Sequence, residues 1–288
     1  MESRVRGARS APADRVIDVI ELFAQPGRVG LRFTDVVSAL GLTQATAHSI
    51  LATLCDRGWL VRDPADKTFS LGPALASVAA HAEQLRPLAH AARIAAQQLC
   101  ADLGYPASVL ERQGDELVIT AFEGDGATAA RVPGDRIRYA PPFGVAFAAW
   151  DGEAGQRDWI NRAPASADGL AERLRQVLVQ TRDRGYDVDW TTPALTLAAQ
   201  VVGTLTEDGL PEHVRDITDQ LLAEFAVIGL QQQGGAAQQV ATIAAPVFDQ
   251  HRRVALILAA HPLRPMTARQ VETAGKRVKR AADRLTVQ

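Results

Sequence analysis

Cysteine is scarce: the 288 residues contain two, Cys55 and Cys100. Two thiols are too few for a disulfide framework or a structural zinc site. Both fall in apolar, helix-like stretches, where a thiol acts as a small inert hydrophobe. Long apolar runs are also missing. No stretch approaches the ~20 residues that a membrane-spanning helix needs, and the opening MESRVRGARSAPAD lacks the apolar core of a secretory signal. The expected setting is the reducing cytoplasm, away from any membrane. Nor does one charge dominate, since 31 Lys and Arg against 33 Asp and Glu give a net charge of −2. The first 75 residues carry nine basic and eight acidic side chains, and the remainder carries 22 and 25. Bulk charge therefore signals no nucleic-acid partner, and a claim of DNA binding has to rest on where particular cations stand.

Catalytic signatures are absent too. Histidines at 48, 81, 90, 213, 251 and 261 show neither H-x-x-x-H nor H-E-x-x-H spacing. There is no G-x-S-x-G elbow. The glycine-bearing GDGA at 124–127 lacks the Lys-Ser/Thr of a phosphate loop. Asp187 and Asp189 read as a solvated strand end, and His261-Pro262 reads as a turn. The expectation is a protein that is not an enzyme and uses no cofactor or metal.

The length and a 47% apolar content allow two domains, each with its own core. Residues 1–12 read as a flexible, Arg-bearing arm. From Pro12, Val16, Ile17, Val19, Ile20, Leu22 and Phe23 give a thick apolar helical face that ends at QPGRVG. A second short helix is expected from Thr34, taken as its N-cap, to Gly41. The most informative stretch follows: LTQATAHSILATLCDRGWLVRDPADKTFSLGP, from Leu42. Thr43 is an N-cap type, and Ala47, Ile50, Leu51 and Leu54 have the spacing of an inward helical face. The outward face is small and polar: Gln44, Ala45, Thr46, His48 and Ser49. The runs WLVR and TFSL flank DPADK and read as a hairpin.

Three helices followed by a hairpin describe a winged helix-turn-helix. A recognition helix keeps one face apolar for docking and the other slim enough to enter a major groove ~12 Å wide. Gln44 has the donor–acceptor pair that reads adenine, and Ala45 or Thr46 can touch a thymine methyl. Backbone N–H groups near Thr43 suit a phosphate. Arg32, Thr34, Arg62 and Lys67 would add backbone contacts.

After a linker helix at 74–86, residues 87–288 read as an α+β domain with a mainly antiparallel sheet. Its signals are a helix from Pro87 to about Leu103, strands ASVLERQ and ELVITAFE, a helix entered through Pro141, Pro142 and Gly144, and an amphipathic helix at 168–183. PALTLAAQVV suggests a strand, and 211–230 a long helix. A hairpin of QVATIAAPVFD and RRVALILAA precedes a closing helix from Thr267 to Leu285. The lining of a pocket would come from Gly126, Thr128 and Ala129, the PPFG turn with Phe143 and Gly144, and Tyr139 and Phe147. The inner faces of the last strands would add Thr242, Ile243, Leu256 and Leu258.

RVIDVIELFA, FTDVVSALGLTQATAHSILATLCDRGWLVRD, TFSLGPAL and IAAPVFD together resemble the IclR-type bacterial transcriptional regulators. The resemblance implies an N-terminal winged helix-turn-helix at 13–73 and a GAF-like effector-binding, oligomerising domain at 87–288. It also implies a homodimer or dimer of dimers on a pseudo-palindromic operator, modulated by a small molecule. Three departures stand out. Ser49 takes the place of the usual Arg after the recognition-helix His, Leu258 and Ala260 stand where small hydroxyl residues are expected, and residues 191–238 replace a short link. The missing hydroxyls suggest an apolar or aromatic acid as effector. Two other classes compete: a metabolic enzyme with a degenerate helix-turn-helix, and a winged-helix protein-interaction adaptor.

Overall fold

A computed structural model describes residues 10–25, 30–124, 133–163, 169–191 and 237–286. The chain divides into two compact units, Met1–Arg86 and Pro87–Gln288. Among the described residues, no helix is long and apolar enough to cross a membrane. The expected strand at 193–202 and helix at 211–230 lie outside the described residues.

The N-terminal unit is built from α1 (Ala11–Ala24), β1 (Leu31–Arg32), α2 (Phe33–Leu40), α3 (Gln44–Asp56), β2 (Leu60–Arg62), β3 (Thr68–Leu71) and α4 (Ala74–Leu85). Val19, Leu22 and Phe23 of α1 are buried with Val36, Leu51, Leu54, Leu60 and Phe69 in one core. Ile17, part of the apolar face expected of α1, is instead 52% exposed. The α2 cap also differs from expectation. Thr34 lies inside the helix, and the end is closed by the Asp35 carboxylate, which accepts the Arg32 backbone N–H at 2.8 Å. Gly41, in the left-handed conformation at φ 60°, ends α2 and turns the chain into α3. The expected hairpin is β2–β3, and β1 pairs with β3 to make it three-stranded, in the order β1-β3-β2. A two-residue strand has no readable alternation, so β1 left no sign in the patterning.

The C-terminal unit opens with α5 (Pro87–Leu103). Strands β4 (Ala107–Gln113), β5 (Glu116–Glu123) and β6 (Arg136–Arg138) follow, then α6 (Val145–Ala148), α7 (Glu153–Ile160), α8 (Leu170–Arg184) and β7 (Asp187–Asp189). After β8 (Gln238–Val240) come β9 (Thr242–Phe248), β10 (Val254–Ala260), β11 (Arg264–Met266) and the closing helix, α9 (Ala268–Leu285). The main sheet runs β6-β5-β4-β10-β9-β7, and every described pairing in it is antiparallel. In this unit, patterning missed helix α7 and strand β11. The α7 sequence EAGQRDWI is mostly polar, and only Trp159 and Ile160 are buried.

The sheet is buried on both faces. On one, Leu256, Leu258 and Ala260 of β10 join Ile243, Ala245 and Val247 of β9 against Ala92, Ala96 and Leu99 of α5 and Val271, Ala274 and Val278 of α9. On the other, Ile257 and Ala259 join Ala244 beneath α6, α7 and α8. Side chains along a strand alternate between faces, so neighbouring residues of β10 belong to different cores.

Candidate functional site

The N-terminal unit presents a short helix with two unlike sides. Thr43 caps α3, its hydroxyl accepting the Thr46 N–H at 3.2 Å, and the two threonine hydroxyls lie 2.9 Å apart. The Thr46 N–H, read from sequence as a phosphate donor, is thus engaged by the cap. Ala47, Leu51 and Leu54 are buried and Ile50 is partly so, while Gln44, Ala45, His48 and Ser49 are exposed and Thr46 is part-buried. The His48 ring stands edge-on to Phe33, with ring centroids 6.5 Å apart. Over its first two turns this face carries no long apolar side chain and no acid.

Arg32, Thr34, Arg62 and Lys67 are also exposed. The Arg62 guanidinium lies 5.7 Å from the Phe69 ring centroid, which braces it on the wing. The wing turn is built by Asp63, whose carboxylate accepts the Ala65 N–H at 2.7 Å. Lys67 holds a left-handed backbone at φ 53°, a conformation that glycine or asparagine adopts at less cost. Two acids of this near-neutral unit, Asp35 and Asp63, are therefore occupied in ending a helix and shaping a turn.

The C-terminal unit holds a cavity of about 80 Å³ between the sheet and α6. Register explains its floor. Ser108 of β4, Ala259 of β10, Ala244 of β9 and Asp187 of β7 lie opposite one another in a row across four strands. Thr242 and Asp189 are paired two residues further along β9 and β7, on the same face. Asp187, Asp189, Thr242, Ala244, Ile257, Ala259 and His261 line the cavity with Pro142, Phe143, Gly144 and Phe147. Gly144 is required there: it sits at φ 84°, and a Cβ would come within 2.5 Å of the Tyr139 ring.

Of the residues expected around a pocket, Phe143, Gly144, Phe147 and Thr242 are brought together. Three are not. Leu256 and Leu258, like Ile243, face α5 and α9 on the opposite side of the sheet. An expectation one residue out of phase selects the wrong face of a strand. Their lack of hydroxyls therefore says nothing about the ligand, and the ground for expecting an apolar acid falls with it. Tyr139 is 1% exposed, and its hydroxyl donates to Asp151 at 3.3 Å. The Arg112 guanidinium covers its ring at 3.9 Å. Burial and the neighbouring Asp151 push its phenol well above the usual range, so it stays neutral. Gly126, Thr128 and Ala129 lie outside the described residues.

The residues missed by sequence reading are Asp187, Asp189, Ser108 and His261. His261 is no exposed turn. It is 5% exposed, with Nε2 2.8 Å from the Ser108 hydroxyl and Nδ1 3.1 Å from that of Thr242. Its ring stacks on Phe122 at 5.8 Å. The Asp187 carboxyl is pushed up to about 6 by burial and then by Asp189, with Arg184 acting in the other direction. Asp189 accepts from the Thr191 N–H at 2.9 Å and from its hydroxyl at 2.7 Å. The period-two spacing of Asp187 and Asp189 was a usable signal, but only partners from β9 and β10 distinguish a pocket edge from a solvated strand. Both cysteines are free thiols, and burial raises both above their ordinary value. They are not poised as nucleophiles.

An exposed slim helix beside a wing is the winged helix-turn-helix arrangement, here on a chain whose second unit is an α+β antiparallel sheet domain. Residues 12–64 match the IclR helix-turn-helix domain. The chain is 25% identical over 232 residues to the HTH-type transcriptional regulator XynR of Escherichia coli K12, covering 72% of this chain and 91% of that protein. It is 26% identical over 186 residues to the glycerol operon regulatory protein of Streptomyces coelicolor, covering 61% and 71%. In fold it is similar to the IclR transcriptional regulator of Alicyclobacillus acidocaldarius, with a TM-score of 0.61 at 20% identity over 96% of this chain and 98% of that one. An IclR homologue of Microbacterium hydrocarbonoxydans, crystallised with 4-hydroxybenzoate, gives a TM-score of 0.61 at 17% identity over 96% and 97%. The N-terminal unit thus carries an IclR-type helix-turn-helix domain, and over most of its length the chain is similar to IclR-type transcriptional regulators.

Proposed function

We propose that this regulator binds a pseudo-palindromic operator as a homodimer or dimer of dimers in the cytoplasm, and that a small-molecule effector changes its occupancy. Residues 13–73 read the DNA, 74–86 link, and 87–288 hold the effector and oligomerise. Two copies of α3 would enter successive major grooves about 34 Å apart. Gln44, Ala45, Thr46, His48 and Ser49 face base edges, while Arg32, Thr34, Thr43, Arg62 and Lys67 contact phosphates. The observation that carries this reading is the sidedness of α3: Ala47, Leu51 and Leu54 are buried while Gln44, Ala45, His48 and Ser49 are exposed.

Self-association draws support from α4, which has no buried residue among its described side chains. Val78 is 52% exposed and Leu85 70% exposed, at the spacing of one helical face. The effector reading draws support from the cavity under α6, with Phe143, Gly144, Phe147 and Thr242 in its lining. That the Microbacterium homologue was crystallised with 4-hydroxybenzoate supports a small-molecule effector. An effector with unequal affinity for two dimer arrangements would shift operator occupancy.

The test is a mobility shift with DNA upstream of the chain's own gene. Gln44→Ala should relax preference at one base pair, whereas Arg62→Ala should weaken all sequences alike. DNA affinity unchanged by both substitutions would reject the assignment and favour the adaptor reading.

A further inference from the structure

On the side of the sheet away from the cavity, α5 and α9 pack together and leave a groove of about 560 Å³ between them. Helical spacing lays out both walls. One is formed by Ala91, Ile94, Ala95, Gln98 and Asp102 of α5, the other by Arg277, Arg280, Ala281, Arg284 and Leu285 of α9. Each set recurs at steps of mostly three and four residues, so each is one continuous stripe. At 1.5 Å per residue the α5 stripe is about 16 Å long. Most of it is slim and apolar, and Ile94 is 39% exposed. The α9 stripe is cationic, with all three arginines exposed. Arg277 donates to the Asp102 carbonyl at 3.5 Å, which ties one end of the groove. Arg280 and Arg284 form no hydrogen bond or ion pair among the described residues. The acids of α9 do not compensate them, because Glu272 pairs with Lys276 and Asp283 with Lys279.

We propose that this groove seats an acidic amphipathic helix of another protein, about three turns long. Its apolar side lies on Ala91, Ile94 and Ala95, and its carboxylates lie along Arg280 and Arg284. A helix docked in a groove is held by anchors at i, i+3, i+4 and i+7. Arginines at 277, 280 and 284 keep that period, so acids at matching steps on the partner meet them along one line. Other occupants fit less well. A small-molecule site encloses its ligand and converges a few polar groups on it, whereas these cations are spread over about 10 Å of exposed helix. A nucleic-acid backbone would use the arginines but leave Ile94 and the alanines in water. A second copy meeting this face two-fold through its own would bring two arginine stripes together.

The probe is a displayed library of amphipathic helical peptides, roughly 14 residues or four turns long and randomised on the outward positions, selected on the immobilised full chain. Selected peptides should carry Asp or Glu at three- and four-residue steps. Fluorescence anisotropy should show their affinity falling about tenfold in an Arg280→Ala, Arg284→Ala double variant, and falling in the wild type as salt is raised. Ile94→Ser should weaken them about threefold or more while the salt dependence is kept. Because these side chains are exposed, both variants should keep the wild-type melting temperature. Selected peptides without the acidic pattern, or with equal affinity for wild type and double variant, overturn the proposal. So does a library that yields no binder. If non-specific duplex DNA displaces the peptides and itself binds the double variant more weakly, the stripe is a nucleic-acid contact and the proposal fails. A change of oligomeric state in the double variant, read by sedimentation, assigns the groove to a second copy of this chain and overturns it as well.

Discussion

The DNA-facing side of α3 and the floor of the cavity are built on opposite plans. The first is contiguous: Gln44 to Ser49 lie within two turns of one helix, and exposure is the state they need. The second gathers Asp187, Thr242, Ala259 and His261 from three strands and the turn after β10, and it depends on partial burial. A helix face is determined by its own 3.6-residue repeat, whereas a sheet floor exists only once strands distant in sequence are paired in register. Substitutions in α3 should therefore act locally and separably. Those in the cavity should act through neighbours.

The largest expected effect breaks the comparison on the DNA side. Leu51 is 2% exposed in the core beneath α3, and Leu51→Ala should cost about 2–5 kcal/mol. DNA binding should disappear, while the C-terminal unit should keep its own thermal transition. Loss of both would show that the two units do not fold separately.

Next comes Gln44→Ala, expected to cost about 1–3 kcal/mol at a single base pair and little elsewhere. A selection experiment on randomised operators would detect a uniform loss instead. Thr43→Ala removes the α3 cap and should lower melting stability by about 1 kcal/mol, with DNA affinity falling for all sequences together.

The smallest and most diagnostic effect is a pH dependence on the cavity side. Folding raises the Asp187 carboxyl from 3.8 to about 6, so the unfolded chain ionises first as pH rises. The stability that this group contributes is fully present below pH 3.8 and is lost as pH rises through about 6. Burial sets this window first, followed by Asp189, which also raises the value, and Arg184, which lowers it. Melting temperature followed across the window should fall in the wild type and change less in Asp187→Asn. Parallel curves would remove the coupling of the two carboxylates.

Much of the helical architecture was legible because long amphipathic segments state their own period. Examples are α3 with its Thr43 cap, and α9 with Thr267 at its start. The wing was legible from Asp63-Pro64 and the two short runs around it. Element ends were less so, as α2 shows. Thr34 has the chemistry of a cap, but the backbone enters the helix one residue earlier and Asp35 closes the end. The cavity was the least legible part. VALILAA is apolar at every position, and a strand buried on both faces has no alternation to say which residues meet α5 and α9 and which meet α6.

By itself, the sequence determined that one short helix would be apolar on one side and slim and polar on the other, because cap chemistry and helical spacing are local properties. It also determined that a wing would follow. Tertiary structure alone decided that Ile257 and Ala259, rather than Leu256 and Leu258, face the cavity. It also decided that two aspartates and a hydroxyl-bound histidine meet there. The physical reason is that a strand has two equivalent faces until its partners choose one. A carboxylate's role is likewise unset until its burial and nearest charge are known.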